Sequence, residues 1–242
     1  MPVNKGDDMI PISDANPTRR LPLMNLTLIA VNVAVFLYEV SLPAPQLDRL
    51  IATWGMTSTG TLVALANPAH APIAVWETLI TSQFLHAGWA HILGNMLFLW
   101  VFGDNIEDVL GHFAYLVFYL LSGIAAGIAQ AVVLGPSLVP SIGASGAIAG
   151  VLGAYLLLYP WARIGVLVPL FIIFWTINIP AIFVIGWWFI QQFLYGIAAL
   201  TQTAASGIAF WAHIGGFITG MVLILPFAGR AHRSRRTPVY YA

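Results

Sequence analysis

The run IGVLVPLFIIFWTINIPAIFVIGWWFIQQFL, from Ile164 to Leu194, carries no charge and is broken only by Pro169, Asn178 and Pro180. A membrane-spanning helix needs about 20 apolar residues, so this run holds one span with a remainder or two short spans. The choice sets the total number of spans. Charge decides it. Lys5, Arg19 and Arg20 precede the first apolar stretch, Arg163 follows the fourth, and Arg230, Arg233, Arg235 and Arg236 follow the last. Basic residues collect on the cytoplasmic side, which puts both ends inside and makes the number of spans even; Arg49 is the exception left outside. One span near Ala181–Leu194, with Gly165–Ile179 as a connecting or interfacial segment, satisfies the rule. The expectation is an all-α membrane protein, a polytopic bundle of six transmembrane helices with N and C termini cytoplasmic.

Composition agrees with a membrane setting. The 242 residues are 60% hydrophobic, 13% aromatic and 7% charged, and the mean hydropathy is +0.87. Soluble domains are about 25% charged, so too few charges exist here to cover a water-facing surface. Disorder requires the opposite balance. Net charge is zero and cysteine is absent; nucleic acid has no electrostatic footprint here, and disulfides, thiolate chemistry and Cys-ligated metals are excluded.

Working outward, residues 1–20 form a short cytoplasmic N-terminal segment, polar and Pro-rich, without a signal-peptide core. Residues 21–228 form the membrane domain and 229–242 a basic cytoplasmic tail. The other spans are placed at Leu21–Val40, His86–Phe102, Phe113–Leu134, Ser145–Tyr159 and Ile208–Phe227. Between the first two, Leu42 to about Ser82 is punctuated by Pro43, Pro45, Pro68 and Pro72 and is too broken to be one span. A connection this long is usually functional or partly embedded.

A charged side chain at mid-span costs about 2.5–3.5 kcal/mol on insertion scales, so polar groups in spans mark function or specific packing. Three such islands occur. His91 and Asn95 lie one turn apart on one helix face; they serve either to bond a neighbouring helix or as paired donors. His86, at the start of the span, is placed to reach loop backbone in a structural role. Gly143-Ala144-Ser145-Gly146 follows a Pro/Gly-rich loop and opens a span. Serine in such a helix commonly bonds back to its own turn, but at a helix start the free N–H groups also stabilise an oxyanion. The soluble-hydrolase elbow Gly-x-Ser-x-Gly is not matched, because Ala147 takes the last position. His213 sits within the last span, as a packing or relay group or as a base. Gly146-x3-Gly150 and Gly216-x3-Gly220 are small-residue ridges of the kind that let helices approach closely. If they face each other, Ser145 and His213 come within hydrogen-bond reach. The set supplies nucleophile, base and oxyanion donors for acyl transfer. No Asp or Glu lies in the fourth to sixth spans, so it makes a dyad and not a triad.

In this order and spacing, His86-x4-His91-x3-Asn95, Gly143-Ala144-Ser145-Gly146 and Ala212-His213-x2-Gly216 resemble the rhomboid family of intramembrane serine proteases. Gly103-x3-Glu107-x3-Gly111 also looks like that family. The resemblance implies a serine endopeptidase acting on transmembrane protein substrates in the lipid bilayer. Ser145 would be the nucleophile and His213 the general base and acid. His91, Asn95 and the Ser145 backbone N–H would form the oxyanion hole. The fifth span, with Trp187, Trp188 and Phe189, would be a lateral gate, and Thr201–Ser206 a loop capping the cavity. There are departures: where many rhomboids carry Trp-Arg, Trp76 is followed by Glu77 and Thr78. A His-stacking tyrosine is replaced by Ala149, leaving Trp211 or Phe210 as candidates to orient His213. No cofactor, metal or nucleic acid is expected, since no metal-ligand spacing such as HExxH joins the histidines; the oligomeric state is not legible. A short N-terminus without an Arg-rich targeting helix favours a bacterial plasma membrane. The competing reading is a catalytically inactive rhomboid-like membrane escort. A transporter would show internal repeats or intramembrane acid–base pairs, and neither occurs.

Overall fold

The computed structural model describes residues 10–170, 173–201 and 209–235. The expected capping loop after Thr201 falls on 202–208, outside the described residues, as do 1–9 of the N-terminal segment and 236–242 of the basic tail. In chain order the elements are β1 (Ile10–Asp14), α1 (Leu23–Ser41), α2 (Ala44–Trp54), α3 (Ser58–Ala66), α4 (Ile73–Thr81), α5 (Trp89–Leu110), α6 (His112–Leu134), α7 (Ser145–Leu158), β2 (Arg163–Leu170), β3 (Ile173–Pro180), α8 (Ala181–Thr201), α9 (Phe210–Ile224) and α10 (Ala228–Arg235).

The helical membrane bundle is present, with three strands beside it, but the count of six spans is not. Among the described residues four helices are long and apolar enough to cross a membrane: Leu23–Ser41, His112–Leu134, Ala181–Leu200 and Phe210–Ala231. A fifth is reached only if Ile73–Phe84 and Trp89–Leu110, bent by 84°, make one span. The helix that contains the expected second span, α5, qualifies only in that pairing, because His91, Asn95, Asp104, Asn105, Glu107 and Asp108 dilute its apolar character. The stretch expected as the fourth is a 14-residue helix. At 1.5 Å per residue it reaches about 21 Å, short of a hydrocarbon core of about 30 Å. Pro160 stops it.

Sequence explains most of the local structure. Helix α1 follows Pro22, which offers no side-chain cap. Its N-terminal N–H groups are met from another helix: Glu107 on α5 accepts from Met24 N (2.9 Å) and Asn25 N (2.7 Å), a carboxylate at the positive end of a helix. His112 Nδ1 pairs with the same carboxylate. The Asn25 side chain donates to the Leu99 carbonyl at 3.0 Å and accepts from Tyr115 Oη at 2.8 Å. Gly103 lies under Asn25, where any Cβ would collide with it. Gly111, at φ +80°, makes the left-handed corner between α5 and α6. The Gly103-x3-Glu107-x3-Gly111 motif is thus the fastening of α1, α5 and α6.

The long connection after α1 folds as α2, α3 and α4 and reaches the loop before Ser145. Met56 and Ser141 exchange backbone bonds of 3.2 and 2.7 Å, and Gly143 N donates to Ser82 O at 2.8 Å. Thr81 Oγ1 donates to the Trp54 carbonyl at 2.8 Å and ties α4 to α2.

The segment before the expected fifth span is an antiparallel hairpin, β2–β3, on which β1 adds in the order β1-β2-β3. Its β-branched residues suit strands. Strand β3 runs straight into α8, whose first N–H groups bond to the turn between α7 and β2: Ala181 N to Ala162 O at 2.8 Å and Ile182 N to Pro160 O at 2.9 Å. Asp14 closes the sheet onto α7 by accepting from Tyr155 Oη at 2.6 Å. Burial pushes the Asp14 carboxyl up to about 6, although the Tyr155 bond opposes the shift; the Asp104 charge adds to it. A carboxyl raised in the folded state stabilises the fold while protonated. That contribution is whole below its ordinary value near 3.8 and is lost as pH rises through about 6. Asp14→Asn mimics the protonated form. Its melting temperature relative to wild type is expected to climb between those pH values and stay level above them; parallel curves would show that Asp14 does not titrate there.

Candidate active site

Helices α7 and α9 bring Ser145 and His213 together. On α7, Gly153 faces α9, while Gly146 and Gly150 lie between Ala126 and Ser122 of α6 and Gly216 and Gly220 of α9. A Cβ on Gly216 would strike the Gly146 carbonyl, one on Gly220 the Gly150 backbone, and one on Gly153 the Phe217 carbonyl. The helices therefore touch backbone to backbone. Behind them α6 contributes Gln130, whose Oε1 accepts from Ala212 N at 3.1 Å and sets the start of α9.

In that seam His213 Nε2 lies 2.7 Å from Ser145 Oγ. His213 is only 9% exposed. Its Nδ1 lies 2.7 Å from Gln192 Oε1 on α8, and its ring meets Trp188 at 5.7 Å between centroids and 39° between planes. Orientation of His213 thus comes from Trp188 and Gln192. Trp211 instead donates to the Gly196 carbonyl at 3.1 Å, and Phe210 packs on Tyr195. Sequence reasoning passed over Gln192 and Gln130. The signal for Gln192 existed: Gln191-Gln192 is the only hydrogen-bonding amide pair in the apolar stretch Ala181–Leu194.

Ser145 is the first residue of α7, and the ladder begins with Ile148 N donating to Ala144 O at 3.0 Å. The N–H groups of Ser145, Gly146 and Ala147 lie ahead of that ladder, as helix-start donors do. Gly143, at φ +129°, makes the turn into the helix. It is needed twice over: side chains rarely adopt that conformation, and a Cβ there would meet Cε1 and Nε2 of His91. The His91 ring edge therefore lies over Gly143, next to Ser145. His91 Nδ1 accepts the Ala87 N–H at 3.3 Å, so in the neutral ring the proton sits on Nε2 and that atom is the donor.

Asn95, one turn on, is 7% exposed, and its Nδ2 has no hydrogen-bond partner among the described residues. A buried unpaired donor is costly to keep, about 1–3 kcal/mol. The His86 side chain is buried. Its backbone N–H is held as well: both Glu39 carboxylate oxygens accept it, at 3.1 and 3.2 Å. The His86 ring packs edge-on between Phe36 and His91.

Of the expected gate residues, Trp188 lies against His213 and Phe217, while Trp187 is 46% exposed. Both line a cavity of about 120 Å³ between α5, α7 and α8, with Phe98, Leu152, Val184 and Gln191. Among the described residues no three His, Cys, Asp or Glu side chains cluster as metal ligands would.

A multi-pass helical membrane protein with a serine hydroxyl on a buried histidine defines the class. A family model described as "Rhomboid domain" matches residues 74–230. The chain is 37% identical over 177 residues to the rhomboid protease GluP of Bacillus subtilis, covering 72% of this chain and 32% of that protein. It is 34% identical over 131 residues to the putative rhomboid protease YdcA of the same organism, covering 54% of this chain and 60% of the relative. Against the rhomboid protease AarA of Providencia stuartii it is 26% identical over 231 residues, covering 88% and 75%. The chain belongs to the rhomboid family. It spans between a third and three fifths of the length of the two Bacillus relatives.

Proposed function

We propose that this protein is an intramembrane serine protease that cleaves peptide bonds in or near transmembrane segments of membrane-protein substrates. The observation that carries this reading is the 2.7 Å pairing of Ser145 Oγ with His213 Nε2, in a chain whose relatives are named as rhomboid proteases. Ser145 Oγ attacks a substrate carbonyl carbon as His213 Nε2 takes the hydroxyl proton. The tetrahedral oxyanion is met by His91 Nε2–H, Asn95 Nδ2 and the Ser145 N–H. His213 returns its proton to the leaving amine, and water, activated by the same imidazole, releases the acyl group. A helix hides its carbonyls in its own ladder, so the substrate must unwind locally to present one. The side of α8 bearing Trp187 and Trp188 is the entry for that substrate, Gly143, Gly146 and Gly216 shape the seam, and His86 is structural. Bacterial relatives favour a bacterial plasma membrane. The protein is read as working without cofactor or metal.

The direct test is cleavage of a single-span substrate co-reconstituted in liposomes, with product termini located by mass spectrometry. New termini within or beside the span support the reading. Intact substrate, across spans weakened by Gly or Pro, favours the inactive escort instead. Asn95 provides a separate check. Asn95→Ala is expected to lower kcat roughly 10²–10³-fold, the usual cost of one oxyanion donor. It should leave the melting temperature unchanged or raised, because the donor lost is unpaired in the resting protein. A fall in stability with unchanged kcat would assign Asn95 to packing.

A further inference from the structure

We propose that Gln192 is a positioning residue that holds the His213 imidazole in the tautomer carrying its proton on Nδ1. The inference rests on the protease reading above. A neutral histidine can act as base toward Ser145 only if Nε2 is the bare nitrogen, and which nitrogen is bare depends on the partner of the other one. The partner here is an amide oxygen, Gln192 Oε1, 2.7 Å from Nδ1. An oxygen only accepts, so Nδ1 donates to it, Nε2 is left with its lone pair, and Ser145 Oγ–H donates to Nε2 at 2.7 Å. The alternative tautomer would point an Nε2–H at Ser145 Oγ and two acceptors at each other on the far side. It is unproductive and leaves a buried pair unsatisfied.

The role a carboxylate plays in soluble serine proteases is filled here by a neutral group. That suits the surroundings: α8 is a membrane-length helix, and an ionised side chain within it is expensive. The bond also makes the dyad answer to α8. Trp188, one turn before Gln192, brings its ring to His213, so α8 supplies both contacts that steady the imidazole apart from Ser145. Displacement of α8 from α9 releases the tautomer along with the ring.

The test compares wild type, Gln192→Leu and Gln192→Glu, each as the full chain in liposomes with a single-span substrate. Gln192→Leu is expected to lose kcat roughly 10–100-fold, part of the 10²–10⁴ a positioned base contributes, with KM unchanged. Gln192→Glu keeps the acceptor, so it should retain most of kcat. Its charge favours the imidazolium, so the acid limb of its kcat–pH profile should move to higher pH. In ¹⁵N-histidine NMR, the Nδ1–H tautomer signal assigned by its loss in His213→Ala should be present in wild type and Gln192→Glu and absent in Gln192→Leu. If Gln192→Leu does not fold, Gln192→Asn, with the arm shortened by one methylene, takes its place in each comparison. The inference is overturned if removing the acceptor leaves kcat and the tautomer signal untouched. It is equally overturned if Gln192→Leu and Gln192→Glu lose activity alike with an unmoved pH profile, which marks a packing role. Wild type that cleaves nothing but shows the Gln192-dependent signal counts against the protease reading and not against the tautomer.

Discussion

Ser145→Ala is expected to abolish cleavage of a single-span substrate, by at least about 10⁴-fold in kcat, while leaving the fold intact. Among the described residues the hydroxyl bonds to His213 Nε2, so its removal costs about 1 kcal/mol of stability by the usual worth of a hydrogen bond. It removes the only atom that can form the acyl-enzyme. His213→Ala should be as damaging, because without the imidazole Ser145 keeps its proton. The double variant should be no worse than either single one, since nucleophile and base act as a unit. Labelling by a fluorophosphonate, which reports an activated serine without any peptide substrate, should vanish in both variants. If Ser145→Ala cuts as fast as wild type, the mechanism is wrong whatever the family.

Gly220→Leu is expected to cost the protein its active conformation altogether. The first side-chain atom at that position falls on the Gly150 backbone. Backbone cannot rotate out of the way as a flexible side chain can, so α7 and α9 must separate. Overpacking in a tight seam costs about 1–3 kcal/mol and occasionally more, and the four-carbon side chain at a backbone-to-backbone contact belongs at the upper end. Parting the helices also pulls Ser145 from His213, so activity should fall even in whatever fraction remains folded. Gly220→Ala should show the same effects in smaller measure. Gly229→Ala, where nothing lies within 4 Å of the added carbon, is the control and should change neither stability nor rate. Equal melting temperatures for Gly220→Leu and wild type would show that the seam has slack.

The candidate site was legible in the sequence because of where polar residues are costly. His91, Asn95, Ser145 and His213 stand out against apolar neighbours. The facing glycine ridges on α7 and α9 could be read as a close approach before any coordinates. The number of spans was not legible. Hydropathy and charge count apolar stretches between basic ends, but Ser145–Leu158 is apolar and too short to cross unaided. Earlier in the chain, Ile73–Phe84 and Trp89–Leu110 meet at 84° at the His86 corner, where Glu39 grips the backbone. A broken or short helix has nearly the same composition as a complete one.

Gln192 marks the same boundary from the other side. In sequence it is one of two adjacent amides in an apolar helix, with nothing to say which of them faces inward or toward what. Only the crossing of α8 over α9 puts its oxygen on His213 Nδ1. Residue chemistry alone therefore pointed to the membrane class, to Ser145 and His213 as the proposed nucleophile and base, and to the small-residue seam, because each depends on side-chain type and helical spacing. Tertiary structure alone decided where the helices begin and break, and also what caps α1 and what orients the imidazole, because the last two depend on groups far apart in sequence meeting at hydrogen-bond distance.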